Sequence, residues 1–203
     1  MNKPVTRISR RQQILVALAK MLQDSPGERI TTSTLAKSVG VSEAALYRHF
    51  PSKTKMFEGL IEYIEDTVFS RIEIIIEEEK MLVNRCEQIV FSFLSFAERN
   101  PGMSRLLVGD ALTGETERLR QRIVQIFEQV EFQLIRVLGD GIAQENIRIE
   151  LSASALARLI MIYMDGCISQ FVRSEFQRLP SAFWAAHWKV MSLQLLHQDV
   201  ERV

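Results

Sequence analysis

Residues 31–53 constrain the fold of this chain more than any other stretch, because they prescribe two short helices with a tight turn between them. Leu35 and Val39 are four residues apart, which places both on one face of the first helix. Gly40 supplies the backbone freedom that a tight turn requires. Ser42 then provides a hydroxyl that can cap the second helix. This order predicts two helices packed against each other across the turn.

The second helix is predicted to end at Phe50, because the residue before Pro51 is disfavoured in helical conformation. Two short helices joined by a glycine-containing turn form a helix-turn-helix, whose second helix enters the major groove of DNA. The outward face of that helix and its immediate flank carry groups suited to phosphates and base edges: Ser42, Glu43, Ala44, Tyr47, Arg48, His49 and Lys53. From the pattern alone, an ordinary helical hairpin with a solvated polar face is the alternative.

The motif resembles the DNA-binding domain of the TetR repressor family in the run Ile-Thr-Thr-x-x-Leu-Ala-x-x-x-Gly-Val-Ser-x-x-x-Leu-Tyr-x-His-Phe-x-x-Lys, residues 30–53. The resemblance implies double-stranded DNA as a partner and an all-α, TetR-like fold. Its N-terminal helix-turn-helix domain is expected over residues 1–55. A C-terminal helical-bundle domain for dimerisation and partner binding is expected over residues 56–203.

Charge is distributed unevenly along the chain. Residues 1–55 contain ten Lys or Arg and three acidic residues, although the whole chain contains 25 of each class. The remainder therefore holds 15 basic and 22 acidic side chains. A basic front on an acidic body can bind phosphate at one end only. We expect further DNA contacts from the start of the first helix and of the second: Arg10, Arg11, Thr31 and Thr32. For the arginines, simple solvation is an equal alternative.

Other classes of protein find little support in the sequence. The longest mostly apolar run, residues 89–97, is nine residues long, whereas a membrane span needs about twenty. Cys86 and Cys167 lack metal-ligand spacing and are expected to be small apolar groups in a reducing cytoplasm. His187 and His197 do not share a helical face, so they form a poor metal pair. Without a phosphate-binding glycine loop or a nucleophile elbow, we expect neither a cofactor nor an enzymatic activity.

A long helix is predicted from about residue 52 to residue 79, because apolar residues recur there at helical spacing. At about 1.5 Å per residue it spans some 40 Å, enough to link the DNA-binding domain to the body. A first helix is predicted over 9–23, after a basic arm of residues 1–8. Later helices are predicted over 82–98, 101–112, 114–138, 152–177 and 181–198, with a loose loop from Gly139 to Glu150.

The last two predicted helices carry the strongest signal for a homodimer. They combine small residues that permit close helix approach with a heavy aromatic load: Phe171, Phe176, Phe183, Trp184 and Trp188. An intrachain core is the alternative, but helix-turn-helix proteins usually read two half-sites as two-fold dimers. The TetR family likewise implies a four-helix interface from these helices. Helix 114–138 has a near-heptad apolar seam whose partner is either the same chain or a second one.

Two hypotheses compete for what the body binds. In the first, the protein is a TetR-type repressor that a small-molecule ligand releases from its operator, which requires a cavity in the body. The aromatic residues that can line such a cavity are Phe69, Phe91, Phe93 and Phe96, although stripes of this kind more often form core. In the second hypothesis, the body is a docking surface for another protein.

A closer resemblance, to the nucleoid occlusion factors of gamma-proteobacteria, favours the second hypothesis. It extends over the near-continuous run 39–57, Leu-Ile-Glu-Tyr-Ile-Glu-Asp (60–66), Glu-Arg-Asn-Pro-Gly (98–102) and Phe-Val-Arg-Ser-Glu-Phe (171–176). The resemblance implies a cytoplasmic, nucleoid-associated homodimer that binds dispersed chromosomal sites and the C-terminal tail of the division protein FtsZ. Such a protein blocks assembly of the division ring over the nucleoid.

The resemblance also implies where the FtsZ tail binds, in a groove between the long helix and the next one. Mapped onto this chain, the groove comprises Tyr63, Arg71, Ser92, Ser95, Arg99 and Asn100. The two serines depart from the small or aliphatic residues expected there. Arg71 and Arg99 suit an acidic peptide chemically, because they are guanidinium groups in an otherwise acidic body. Ordinary surface salt bridges to Glu98 or Glu65 are the alternative.

Overall fold

The computed structural model describes residues 9–25, 30–112, 114, 116–147 and 151–195, and every regular element in these ranges is a helix. The predicted all-α class is therefore confirmed. The helices in chain order are α1 (Arg10–Asp24), α2 (Thr32–Val39), α3 (Glu43–His49), α4 (Lys53–Glu78), α5 (Leu82–Arg99), α6 (Pro101–Leu107), α7 (Glu117–Glu145), α8 (Ala153–Arg173) and α9 (Trp184–Leu195).

The loop predicted from residue 139 to residue 150 is wrong in its first half, because α7 continues through both glycines to Glu145. Gly141 lies against the start of α5, where an added Cβ would stand 2.7 Å from Leu82 Cδ1. The glycine is thus required for close helix packing and does not break the helix. The Glu145 carboxylate then accepts a hydrogen bond from the Leu82 backbone N–H at 2.5 Å, which caps α5. Asn146 follows the last residue of α7 and ends the helix in the left-handed conformation, with φ at 51°.

Two other predicted helices are shorter than expected. The helix predicted over 101–112 is divided, because α6 ends at Leu107 and Gly109 adopts a left-handed φ of 78° before a 3-10 turn at Asp110–Leu112. The helix predicted over 152–177 stops at Arg173, since Glu175 and Phe176 both adopt positive φ. Both differences arise from left-handed backbone conformations, which end a right-handed helix.

The predicted apolar stripes are buried in one continuous core. In α4 the stripe includes Leu60, Ile64, Val68 and Ile72. The near-heptad seam of α7 is also buried within the single chain, where α7 packs on α8, α5 and α4; its members are Leu119, Ile123, Ile126, Val130 and Val137. The partner of this seam is therefore the same chain.

Helix α1 docks directly on α6 of the body. At Gly102 an added Cβ would stand 2.0 Å from the Ala19 carbonyl oxygen, so the two backbones touch at this point. Arg105, whose side chain is 5% exposed, donates to the carbonyl oxygens of Leu22 at 2.7 Å and Ser25 at 3.3 Å. These are among the carbonyls that the end of a helix leaves without partners. An arginine of the body thus caps the C-terminal end of α1.

Some predictions fall outside the described residues, namely the basic arm over 1–8, the end of the loop at 148–150 and the last helix beyond 195. Among the described helices, α8 is long and apolar enough to cross a membrane by length and composition alone. Its inner side chains, including Leu156, Met164 and Phe171, are buried in the body as those of a core helix are.

Candidate DNA-binding surface and partner groove

Side-chain caps fix both helices of the helix-turn-helix. The Thr31 hydroxyl accepts from the Thr34 backbone N–H at 3.1 Å, and the Thr34 hydroxyl accepts from the Thr31 N–H at 3.3 Å. Gly40 ends α2 in the left-handed conformation, with φ at 70°. Ser42 caps α3 by accepting from the Ala45 N–H at 3.1 Å. Two residues predicted to contact DNA, Thr31 and Ser42, therefore also set where these helices begin.

The outward face of α3 is exposed as predicted, while Leu46 on the opposite face is fully buried. The exposed set is Ser42, Glu43, Ala44, Tyr47, Arg48 and His49. Thr32 links two of these side chains across the motif. It donates to a Glu43 carboxylate oxygen at 2.8 Å, and the Tyr47 hydroxyl donates to Thr32 Oγ1 at 3.4 Å. These hydrogen bonds orient Glu43 and Tyr47 in the protein without DNA.

The basic residues around α3 differ in their surroundings. Arg10 is exposed and donates to Gln13 Oε1 at 2.8 Å. The Arg11 guanidinium lies 4.7 Å from the Phe50 ring centroid and 3.7 Å from the Glu62 carboxylate, although its side chain is 52% exposed. An external anion that binds Arg11 would therefore compete with Glu62. Lys53 begins α4 and is partly buried, with Nζ 5.5 Å from the Phe57 ring centroid.

A cavity of about 860 Å³ lies between α4 and α5, where the partner groove was predicted; we call it the α4–α5 groove. Five of the six predicted residues line it: Tyr63, Arg71, Ser92, Arg99 and Asn100. Ser95 does not line it; its backbone carbonyl accepts from Arg99 Nε at 3.0 Å, which helps to orient the arginine. The groove is also lined by residues not predicted for it, including Asp66, Ile74, Phe93 and Phe96.

The two arginines of the groove lack an acidic partner within the described part of the chain. Of the residues that the structure describes, none forms a salt bridge with Arg71 or Arg99. Glu98 instead accepts from the Ser181 hydroxyl at 2.6 Å, and Glu65 pairs with Arg122 at 2.5 Å. The alternative of ordinary salt bridges to Glu98 or Glu65 is therefore wrong. Both guanidinium groups remain available to an external anion.

The four phenylalanines considered for a ligand cavity do not enclose a common space. Phe93 and Phe96 line the α4–α5 groove, whereas Phe91 is 48% exposed and lies outside it. Phe69 is partly buried and packs against the core. The aromatic stripe is thus divided among groove, surface and core.

The last two helices divide between core and surface. Trp184 and Trp188 are buried, with ring centroids 5.2 Å apart. Other large apolar side chains are exposed: Ile162 on α8 at 62%, Val190 on α9 at 63% and, immediately before α9, Phe183 at 71%. Exposed apolar groups of this size on neighbouring helices are typical of an interaction surface. They lie on the two helices predicted to form the dimer.

Comparison with known proteins finds family matches for both the helix-turn-helix region and the body. Residues 14–60 match the family described as bacterial regulatory proteins of the tetR family, and residues 79–196 match the SlmA-like family described as tetracyclin repressor-like, C-terminal domain. The chain is 52% identical over 188 residues to nucleoid occlusion factor SlmA of Idiomarina loihiensis, covering 93% of this chain and 96% of that protein. It is 53% identical over 190 residues to SlmA of Shewanella pealeana, covering 94% and 96%.

Solved structures with low sequence identity share the fold. The MbdR regulator from Azoarcus sp. CIB superposes with a TM-score of 0.77 at 16% identity, covering 93% of this chain and all of that one. The TetR family regulator PfmR from Thermus thermophilus gives a TM-score of 0.75 at 19% identity, covering 95% of this chain and 100% of that one.

Proposed function

Because this chain belongs to the SlmA family of TetR-like nucleoid occlusion factors, we propose that it binds chromosomal DNA and the C-terminal tail of FtsZ at the same time. It acts as a homodimer in the cytoplasm, associated with the nucleoid, and blocks division-ring assembly where DNA is present. Regulators of this family are DNA-binding proteins, and we propose no catalytic role for any residue.

The proposal that the protein binds the FtsZ tail rests on one observation. Two arginines line a single surface groove, and no acidic residue in the described part of the chain forms a salt bridge with either of them. Arg71 and Arg99 line the α4–α5 groove together with the exposed ring of Tyr63. Burying an unpaired cation is costly, whereas an exposed guanidinium forms strong bidentate bonds with carboxylates. An acidic peptide that also carries apolar side chains fits this combination, because Phe93 and Phe96 line the same groove as the arginines.

The DNA half of the proposal rests on the exposed face of α3. Arg48 and His49 provide hydrogen-bond donors near the end of the helix, while Tyr47 and Glu43 are held by Thr32. Side chains oriented in advance lose less conformational entropy when they bind. A dimer through α8 and α9 presents two such helices to successive major grooves, which is how helix-turn-helix dimers read paired half-sites.

The proposal is tested by the effect of DNA on FtsZ polymers. Fragments that the protein binds are first selected from genomic DNA by gel shift. FtsZ is then polymerised with GTP and sedimented with the protein, with selected DNA and with an unrelated fragment. We expect loss of polymer only when protein and selected DNA are both present. If selected DNA makes no difference, the competing hypothesis for the body, a repressor released by a small molecule, replaces this one.

A charge reversal in the groove tests FtsZ binding separately from DNA binding. Arg99→Asp should leave DNA affinity unchanged and abolish FtsZ binding, because the variant repels the carboxylates that the arginine would attract. Arg136→Asp is the matched control, since Arg136 is exposed on α7 and does not line the groove. Equal loss of DNA and FtsZ binding in Arg99→Asp would mean that the change disrupts the body as a whole.

A further inference from the structure

Glu43 is an acidic side chain on a surface that is otherwise suited to anions. It is the first residue of α3 and is exposed on the outward face of the helix, four residues before Tyr47. Within the described residues, no Lys or Arg forms a salt bridge with it. DNA phosphates repel a carboxylate. To bind DNA directly, Glu43 must accept a hydrogen bond, and in duplex DNA only the bases carry donors.

Thr32 holds one oxygen of this carboxylate. The Thr32 hydroxyl donates to Glu43 Oε2 at 2.8 Å, and the same hydroxyl accepts from the Tyr47 hydroxyl at 3.4 Å. Thr32 is partly buried in the first turn of α2, so Glu43 is held by the neighbouring helix of the motif. Among the residues that the structure describes, none donates to the other oxygen, Oε1. The carboxylate is therefore oriented while one of its two oxygens stays unused.

The position of Glu43 along α3 is one that meets base edges. In helix-turn-helix proteins, the N-terminal residues of the recognition helix contact the bases. The first two helical residues of α3 are Glu43 and Ala44, and of these only Glu43 can form hydrogen bonds with its side chain. Arg48 and His49 lie in the last turn of the helix. Glu43 is thus placed where sequence is read, apart from the cationic end of the helix.

The chemistry of the bases selects the partner of a carboxylate. In the major groove, hydrogen-bond donors are presented by the N4 amino group of cytosine and the N6 amino group of adenine. Adenine places the acceptor N7 beside its amino group, and this lone pair repels a carboxylate, whereas cytosine carries a C5–H there. Guanine and thymine present acceptors. Cytosine is therefore the base that suits Glu43 best.

We propose that Glu43 determines sequence specificity by accepting a hydrogen bond from the N4 amino group of a cytosine, and that Thr32 is the residue that positions it. This inference rests on the proposed function, because it assigns a role within the DNA contact. Oε1 accepts from the cytosine while Oε2 keeps its bond to Thr32. In a two-fold dimer the contact occurs once in each half-site.

The test replaces each cytosine of a DNA fragment selected by gel shift, on either strand and one at a time, with N4-methylcytosine. This base still pairs with guanine, but its methyl group takes the place of the amino hydrogen in the major groove. At least one replacement should weaken binding of the wild type about fivefold or more, the discrimination expected of a base contact. In Glu43→Ala, the same replacement should change affinity by less than about twofold, because the acceptor is gone.

Replacements of Thr32 separate positioning from a purely structural role. Thr32→Val keeps the shape of the side chain but removes the donor, so the penalty for N4-methylcytosine should be at least about twofold smaller than in the wild type. Thr32→Ser restores the hydroxyl and should restore the penalty. Asp24→Asn is the matched control, because Asp24 is an exposed acid on α1 that pairs with Lys20. It should change affinity for all fragments alike and leave the penalty as it is.

The outcomes distinguish this inference from the proposed function. If wild type binds the selected fragment and no N4-methylcytosine weakens it, or if Glu43→Ala shows the same penalty as wild type, the inference is overturned while DNA binding stands. A penalty that is lost in Glu43→Ala but unchanged in Thr32→Val would refute the positioning role of Thr32. If the wild type prefers no genomic fragment over unrelated DNA, the proposed function fails and the inference fails with it.

Discussion

The contact between α1 and α6 makes a quantitative prediction for Gly102→Ala. The added Cβ would meet the Ala19 carbonyl oxygen at 2.0 Å, the Ala19 carbonyl carbon at 2.9 Å and the Gln23 nitrogen at 3.2 Å. All three are backbone atoms of a helix interior, so no side chain can rotate away. To restore an ordinary contact of 3.4 Å, the helices must separate by about 1.4 Å at this point.

Two opposing terms decide the size of the effect. Alanine is favoured over glycine within a helix by about 1 kcal/mol. Overpacking costs about 1–3 kcal/mol and more where backbone must move; the separation also stretches the Arg105 hydrogen bond to the Leu22 carbonyl, worth about 1.5–3 kcal/mol when the donor is charged. The net destabilisation is about 1.5–5 kcal/mol. For a chain of this length that lowers the melting temperature by on the order of 10 °C.

Thermal unfolding followed by circular dichroism measures this effect, at one protomer concentration because dimer stability depends on it. Gly139→Ala is the matched control: Gly139 lies inside α7 and an added Cβ meets nothing within 4 Å. It should stabilise the protein by about 0.5–1 kcal/mol. If Gly102→Ala melts at or above the wild-type temperature, as Gly139→Ala should, the close approach of α1 and α6 is refuted.

Three further predictions concern DNA binding, a buried carboxylate and a buried thiol. Thr31, Tyr47 and Lys53 are expected to contact the DNA backbone, so replacing each one by alanine should weaken DNA affinity in gel shifts. Unchanged affinity in all three variants would refute the helix-turn-helix assignment. Glu58 is buried, and the hydrogen bond from Lys55 is the main reason that its pKa is lowered from 4.5. Glu58→Gln should therefore melt below wild type at pH 7. The difference should begin to shrink as the pH falls below 4.5 and disappear only below the lowered pKa of Glu58, because protonation then removes the same interaction in the wild type. Burial raises the pKa of Cys86 to about 12, so a thiol reagent at pH 8 should label it only after unfolding, and fast labelling of the folded protein would contradict its burial.

The helix-turn-helix was predictable because its determinants are local. Gly40 and Ser42 act on their own neighbours in the chain, and they end α2 and cap α3 as their sequence positions indicate. The α4–α5 groove was predictable in part, since five of the residues that line it follow from a resemblance that extends through α4 and α5. The same resemblance placed Ser95 in the groove, but Ser95 does not line it. Its backbone carbonyl accepts a hydrogen bond from Arg99 instead.

The features that escaped prediction depend on residues far apart in the chain. Gly141 looks like a helix breaker until its contact with Leu82 is known, and the carboxylate that caps α5 comes from 63 residues away. A second cavity, of about 470 Å³, was missed for the same reason, because its walls come from α1, α4 and α6. The hydrogen bond from Arg105 to the Leu22 carbonyl could not be predicted from the sequence either, because the two residues are 83 positions apart.

The cap that Arg105 places on α1 limits how this protein can be divided or recombined. An excised piece ending near residue 55 would leave the carbonyls of Leu22 and Ser25 to water, and it would expose the face of α1 that rests on Gly102. A chimera that joins this DNA reader to a foreign body must therefore carry α6 along or supply an equivalent arginine. The DNA-binding domain therefore cannot be transferred to another protein by itself, because α1 depends on its contact with α6.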